Sequence, residues 1–585
     1  MPRGLPWELF LFAMLPVFAT GGRAAELLAR AAPAPDSASA VVRELRDFSH
    51  AGMDRRLGPG YAFYHAGTET EQFPEQWMPP VREEAKGRRY EIGGPWSTQA
   101  SGDFSSTQGQ ILYVPDAGFG MDRVTLLEWS NGGFSEKPEP PWNSGFRPEP
   151  TLGAWQKAAG GDPGVPIAMA RGIGGWANCG VVLFSSGLVA TAGTVTGEGS
   201  NPVFRFPKNK RPTAIAITNK NEFALVTVVD TDRMTGQVAV LALESSGREN
   251  GFPHEWREPH PGLPNVAVFT HLKLLGYIDL PGLNFPTGIS AVGDATMSRL
   301  NGRDGNAGLL SSFDLAQQSD RDIFNSGDNA GYSSRCGFAA IIGRYEGRVA
   351  FLDLKPLFLR LREMYYTTGE NYRKTLELGD GPHQWPYTFA ADPGWAPKLV
   401  AVIPQPEPTA VLATLGRGSE SRTFVASRDG QVRLYRVGGL ATLEAASPAE
   451  IKVAGVVQVG RNPVCLAYDK THPQTIIAVS RGDREISWIS HAGGDGKVIR
   501  RLRDARLQDP VFVEVADTHG IETALLTVAD FNGRQILNYR YAPVVFATQG
   551  GARFGMGEHG TDEFECGGLM PFPGWPFCLS ATNVN

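Results

Sequence analysis

Concentrated positive charge is missing from this sequence. Its 585 residues carry a net charge of −6 with no long run of Lys or Arg, which disfavours phosphate-backbone binding and a nucleic-acid role. Cysteine is scarce: Cys179, Cys336, Cys465, Cys566 and Cys578 are too few for a disulfide framework. There is no CxxC or CxxCH, so c-type haem attachment is disfavoured. No GxSxG occurs, so Ser-His-Asp hydrolysis lacks its cue. Only ten histidines are present, against the many converging ligands a multi-copper centre requires. Apolar stretches long enough for a comfortable membrane span are also absent. The nearest, Leu5–Phe18, follows Arg3, contains Glu8, and precedes the small residues Gly22 and Ala24. It reads as a secretory signal over residues 1–24. The expectation is an exported protein, periplasmic or secreted, with no transmembrane span once the signal is removed.

Glycine and proline, by contrast, are abundant, at 70 and 43 residues, and 42% of the chain is apolar. That composition suits many short strands joined by tight turns around a large core. Residues 25–87 read as an N-terminal linker or extension, Ala/Pro-rich over Ala31–Ala40. From about residue 88 a unit of strands recurs, clearest at Pro212–Leu243, where β-branched runs are bounded by Asn, Asp and Gly. A proline opens the first strand of each unit: Pro95, Pro166, Pro212, Pro286, Pro408, Pro463 and Pro510. Proline at a strand start removes no ladder hydrogen bond. Hairpins follow at Ile111–Glu128, Leu188–Phe206, Phe223–Leu243, Phe338–Leu354, Phe424–Val437, Ile476–Ile489 and Leu525–Tyr541. A fourth strand leads to the next proline, as at Leu272–Leu280 and Lys398–Ile403. A four-stranded unit cannot bury its faces alone, and radial stacking into a β-propeller solves this. The expected fold is all-β: a seven-bladed β-propeller over residues 88–549, with six or eight blades as alternatives. Ring closure is expected through Arg88–Ile92 or Pro543–Ala547. The tail, residues 550–585, is expected to pack on the propeller.

Three long insertions interrupt the units, at 244–264, 294–335 and 355–397. Strand alternation places all three on one face, and loops this long are uncommon unless functional or disordered. Leu357, Phe358, Leu361, Met364 and Tyr365 form one stripe of a short amphipathic helix. A packed cap is the expectation.

The words P-x-x-I-A-x, F-A-L-V-T, G-Q-V-A-V-L and L-L-G-Y-I-D-L-P-G before F-P-T-G-I resemble the YVTN-type propellers of bacterial secreted proteins, over roughly residues 205–545. That superfamily includes lactonases, quinoprotein-like and copper-containing enzymes, and pure binding proteins, so the resemblance bears on fold and not on activity.

Candidate sites follow from the two faces of a propeller. The rim carrying the strand-two to strand-three turns holds Asp230, Arg344, Arg428, Arg481 and Asp530. Asp and Asn are good turn formers, which accounts for the carboxylates without function. The functional reading is a polar or anionic ligand held by the arginine forks. On the other face, His254, His260 and His383 are candidate metal ligands. The words HEWREPH lack HExxH spacing, and Pro259 prevents one helix from aligning His254 with His260. Ordinary loop histidines are the competing reading. A divalent ion such as Ca²⁺ at the channel mouth is the cofactor candidate, although no loop has calcium spacing. Trp176, Trp385 and Trp488 could serve a quinoprotein platform. Cys465 reads as a buried thiol. Cys566 and Cys578, in the tail, are expected to form a loop-closing disulfide in an oxidising compartment.

Two functions compete. The first is an exported propeller that binds a small ligand or a protein partner at a channel mouth or at the insertion cap. The second is a propeller enzyme, lactonase-like or metal-dependent, less favourably a quinoprotein or copper oxidoreductase. The binding reading expects no stoichiometric Ca, Cu or Zn in the purified protein. Elemental analysis checks this, and a whole-number metal content would favour the enzyme.

Overall fold

The computed structural model describes most of residues 166–547. Breaks fall at 171–179, 193–201, 247–254, 266–268, 296–299, 302–306, 417–420, 470–473, 519–520 and 542–543. Strand segments at 107–115, 125–131, 145–148, 553–556, 564–571 and 574–581 are also described. The expected signal and N-terminal extension, and Pro95 with the strand it was expected to open, lie outside the described residues; the hairpin expected at Ile111–Glu128 is formed by Thr107–Pro115 and Thr125–Asn131.

The chain forms antiparallel sheets arranged as a β-propeller. Seven strands stand at the inner end of their sheets: β1 (Pro166–Ala170), β2 (Lys210–Ile217), β3 (Gly288–Gly293), β4 (Pro408–Thr414), β5 (Pro463–Tyr468), β6 (Pro510–Thr518) and β7 (Gly574–Ala581). Each packs beside the next, and β7 touches both β6 and β1. Six sheets have four strands each, a six-bladed arrangement, so the seven expected quartets are not supported. The sheet begun by β6 has six, because Val544–Ala547 and Arg553–Met556 extend it. The expectation of identical quartets therefore fails at that sheet.

Proline marks the inner strands for a local reason. In β1, β2, β4, β5 and β6 the ladder shifts register just after the first proline, leaving Ile167, Thr213, Thr409, Val464 and Val511 unopposed. A bulge already interrupts pairing there, so a residue with no N–H to donate loses little. Pro286 leads β3 similarly, with the Thr287 N–H on the Ile342 carbonyl at 2.7 Å. In β7 the shift falls at Pro576, leaving Phe577 unopposed. The bulged residue is β-branched in five cases of the six, fitting the pleated, half-buried positions these residues favour.

Burial then changes outward. Second strands such as Phe223–Asp230, Arg422–Ser427 and Thr475–Ser480 are buried at every residue. They lie between other strands in their own sheet and between neighbouring sheets, which is why they read as unbroken apolar runs. An outer strand, Lys497–Leu502, alternates exposed and half-buried residues, the pattern of one wet face.

Two sequence expectations need correction. The second strand after β1 is Gly180–Phe184, and Leu188–Ala192 is the third, so the hairpin begins earlier than 188. The tail enters the sheets: Phe564–Pro571 pairs with Gln535–Tyr541, and β7 pairs with Thr107–Pro115. Closure therefore runs through β7. Val544–Ala547 pairs instead with Arg553–Met556, and Arg88–Ile92 lies outside the described residues.

The insertions emerge where strand one meets strand two, or strand three meets strand four, and all three contribute to one apolar cluster. Trp256 and Leu263 come from the first, Phe313 and Phe324 from the second, and Tyr365, Trp385 and Trp395 from the third. One short helix was expected; three are present among the described residues: α1 (Gln318–Asn325), α2 (Lys355–Arg362) and α3 (Gly369–Lys374). The Leu357–Tyr365 stripe is buried as anticipated, on α2 and the π-helical turn that continues it. No helix among the described residues is long and apolar enough to cross a membrane.

Truncation after Pro571 deletes β7 and with it Trp575, Cys578 and Leu579, all buried. Each such side chain contributes about 1.5–3 kcal/mol. The truncated protein is expected to melt well below the full chain and over a broader range in circular dichroism. An unchanged melting curve would show that closure does not need this strand.

Candidate functional site

The rim residues are occupied by the fold. Asp230 ends the second strand beside β2, with Lys210 Nζ 2.6 Å from Oδ2. Its Oδ1 accepts the N–H groups of Asp232 and Arg233. The Lys210 hydrogen bond leads in holding this carboxyl below its usual range. Lys210 also donates to Gln237 Oε1 at 2.5 Å and lies 4.6 Å above the Tyr277 ring. Asp530 stands at the corresponding place beside β6, with no exposed surface. It accepts from the backbone of Asp509 (2.6 Å), Gln508 (2.8 Å) and Gly533 (3.2 Å), and from Gln535 Nε2 (2.7 Å). Burial nonetheless raises its pKa. Both aspartates tie the strand-two to strand-three turn to the link entering the sheet, a turn-anchoring role.

The three rim arginines occupy turns of three successive sheets. Arg481 is committed to Asp509 by a two-pronged bond (2.6 and 2.8 Å), and Asn532 donates to the same carboxylate at 2.6 Å. Arg344 donates its backbone N–H to Thr287 Oγ1, and its Nε is buried with no partner. Arg428 is exposed, and its backbone N–H reaches the Glu407 carbonyl at 3.1 Å.

His260 is a core residue. It is 5% exposed, with the rings of Trp256, Tyr365 and Tyr372 centred 5.4, 5.2 and 6.1 Å away. Burial depresses its pKa to about 3. His383 lies on the exposed surface, and His254 lies outside the described residues. Among the described residues no three His, Cys, Asp or Glu side chains are grouped to hold a metal.

Cys578 is a free, buried thiol on β7. The expected link to Cys566 is not formed: Cys566 lies on the outer strand of the six-stranded sheet, while Cys578 lies on the inner strand of the sheet beyond. Burial pushes the Cys578 thiol up to about 12, as it does Cys465. Cys465 is buried and free, in keeping with the sequence reading.

Beneath the cap lies a polar cluster that sequence reasoning missed. The turn after β2, Thr218–Glu222, carries Glu222, whose oxygens accept from Thr218 Oγ1 (2.6 Å), Ser334 Oγ (2.8 Å) and the Lys220 N–H (3.2 Å). Burial raises the pKa of Glu222 and lowers that of Lys220 to about 8. Lys220 Nζ lies 4.4 Å from the centre of the Tyr332 ring. A lysine near 8 has the acidity of a base or nucleophile, but Lys220 is 4% exposed. Its visible work is to seat the second insertion on the turn below.

An open cleft of about 870 Å³ lies beside the cap. It is lined by Leu359 of α2, by Leu443 and its neighbours in the 443–448 loop, and by Lys398–Val400. Leu359 is 47% exposed and Leu443 60%. Lys355, also in the lining, lies 3.2 Å from Asp353 and donates to the Gly439 carbonyl at 2.5 Å. Arg360, in the same lining, is braced by Glu363 and Asp392 at 2.8 and 2.6 Å. The walls come from segments some forty to eighty residues apart, so no local motif announces them. The one available signal was Leu443, an apolar residue in an otherwise small and acidic loop.

His260 gives the cap a pH dependence. The unfolded chain protonates this ring near 6.5, the folded chain near 3. Its stabilising contribution is therefore full above 6.5 and is lost as pH falls towards 3. Between those limits the wild type should lose up to about 1.4 kcal/mol per pH unit relative to His260→Phe. Denaturant titrations at several pH values check this, and parallel curves would refute it.

No protein-family model matches the chain, and no curated protein sequence does. Solved structures similar to it include the periplasmic gluconolactonase PpgL of Pseudomonas aeruginosa, at 12% identity and TM-score 0.40, covering 82% of this chain and 100% of that one. Apo AztD from Citrobacter koseri is similar at 9% identity and TM-score 0.34, covering 81% and 98%. Sqt1 of Saccharomyces cerevisiae is similar at 7% identity and TM-score 0.32, covering 67% and 86%.

Proposed function

We propose that the protein is an exported, YVTN-type propeller whose six-stranded sheet serves as the seventh blade, and that it binds a ligand in the cleft beside its insertion cap. The observation that carries the binding reading is the cleft itself, with two half-exposed leucines in its lining. Exposed apolar side chains lining an open cleft, with charged groups among them, suit a binding site. Two further observations support placing the site here and not on the rim. Asp230, Arg481 and Asp530 already have internal partners, so recruiting them would break bonds that hold turns. The charges around the cleft are likewise paired, Lys355 with Asp353 and Arg360 with Asp392. They can therefore orient a ligand without leaving an uncompensated ion when the cleft is empty. Export rests on the signal-like first 24 residues, and the seventh-blade assignment on the packing of β6 between β5 and β7.

The test is a thermal-shift screen of small organic acids, sugars and lactones. Compounds that raise the melting temperature of the wild type should fail with the double variant Leu359→Asp, Leu443→Asp, and should still act on Arg428→Glu. Both leucines are exposed, so the double variant is expected to fold with a melting temperature within a few degrees of wild type. Dependence on Arg428 alone would move the site to the rim. Turnover of a lactone with stoichiometric metal would replace binding by catalysis.

A further inference from the structure

The floor of the cleft is a sheet edge. Lys398–Pro404 is the outermost strand of the sheet begun by β3, and it is hydrogen-bonded on one side only, to Arg348–Asp353. Among the described residues nothing pairs with its other side. Its first three residues line the cleft. The ladder shifts register here: Phe351 faces Ala401 and Leu352 faces Leu399, so Val400 stands unopposed. A bulge of this kind interrupts ordinary pairing and bends the strand. Leu399 and Val400 are both half-buried.

Resting on the cleft reading above, we infer that the ligand is a polypeptide segment in extended conformation, which adds as a further strand to the Lys398–Val400 edge. Two features of the cleft must be met by one occupant. The floor offers backbone donors and acceptors in strand geometry, and leaving such groups desolvated without partners is costly. The rest of the lining offers two exposed leucines, Leu359 and Leu443. A peptide strand satisfies both, because its backbone pairs with the edge while its alternate apolar side chains cover the leucines. A compact organic molecule would fill the space between the leucines and leave the edge unmatched. The far end of the strand has the opposite character. Pro404 has no N–H to give and is exposed, a device that discourages strand addition. The addition is thereby confined to the cleft end. With a rise of about 3.3 Å per residue, three edge residues match a contact of roughly 10 Å, so four or five residues of the partner suffice. Exposed Lys398 and Glu444 stand at the cleft and favour a segment carrying one charge of each sign near its apolar residues.

The experiment pans random twelve-residue linear peptides displayed on phage against the full-length protein, then synthesises the enriched sequences. Strand addition expects peptides with apolar residues at alternate positions. Methylating alternate backbone nitrogens, those facing the edge, should weaken binding at least tenfold; methylating the intervening ones should change it less than twofold. Leu359→Asp with Leu443→Asp should abolish binding, and Ile499→Asp, on another outer strand, should leave it intact. Peptides that depend on the two leucines but ignore methylation overturn strand addition and leave the cleft as the binding site. Enrichment of no peptide that depends on the leucines overturns strand addition as well. In that case the small-molecule screen decides the fate of the cleft separately.

Discussion

The pairing of Gly574–Ala581 with Thr107–Pro115 is the contact on which the rest of the architecture rests. Sheets stacked around an axis have no natural last member, and an open ring would leave the inner strands β6 and β1 facing solvent. One strand taken from the far end of the chain and laid beside an early one removes that gap, since β7 touches both. The contact also costs the most chain entropy, because more than 450 residues separate its partners. Its inner position offsets that cost by burying Trp575 and Leu579. Closure holds neighbouring sheets at fixed angles, and only then can loops from two sheets share one apolar cluster.

The insertions that share that cluster are also tied together by hydrogen bonds. Trp385 Nε1 donates to the Tyr365 hydroxyl at 2.6 Å, and Tyr365 in turn donates to the Pro261 carbonyl at 3.2 Å, joining the third insertion to the first. Arg362 donates to carbonyls of Phe324, Ala330 and Ser333, joining the third to the second. Lys273, on a strand of the propeller, gathers the carbonyls of Gly379, Gly381 and Gln384 within 3.1 Å. Loops without such bonds would carry many unsatisfied polar groups once packed against one another. Here the long side chains supply the donors, so the cap behaves as an extension of the core, and the α2 wall of the cleft is held in place.

How far this was readable beforehand depends on how local each signal was. The proline that opens β1, β2, β4, β5 and β6 was visible because its cause is local: a bulge follows it at once, as at Pro212–Thr213 and Pro408–Thr409. The insertion face was visible because strand alternation fixes it. Closure was missed because Pro576 was read as part of a tail, although it opens its bulge as Pro463 and Pro510 do. The candidate site was the least legible part. Rim carboxylates such as Asp530 attract notice in a sequence for the property that makes them turn anchors. Lys220 and Glu222 sit in a short polar turn with nothing in its sequence to mark it, and the insertion lying over them buries them.

The contrast between the two faces carries a broader argument. A charge in a turn is cheap to place and is readily neutralised by its neighbours, as Arg481 is by Asp509. Polar residues at a rim therefore say little about ligands. Two exposed leucines lining one cleft are different, because covering each would contribute about 1.5–3 kcal/mol and the fold has left them uncovered. The segments forming the cleft are otherwise tightly braced, by Lys355 on the Gly439 carbonyl and by Arg360 on Asp392. Bracing of that kind fixes the segments that line the cleft. A braced cleft that leaves two apolar side chains uncovered has a surface suited to a ligand that covers them.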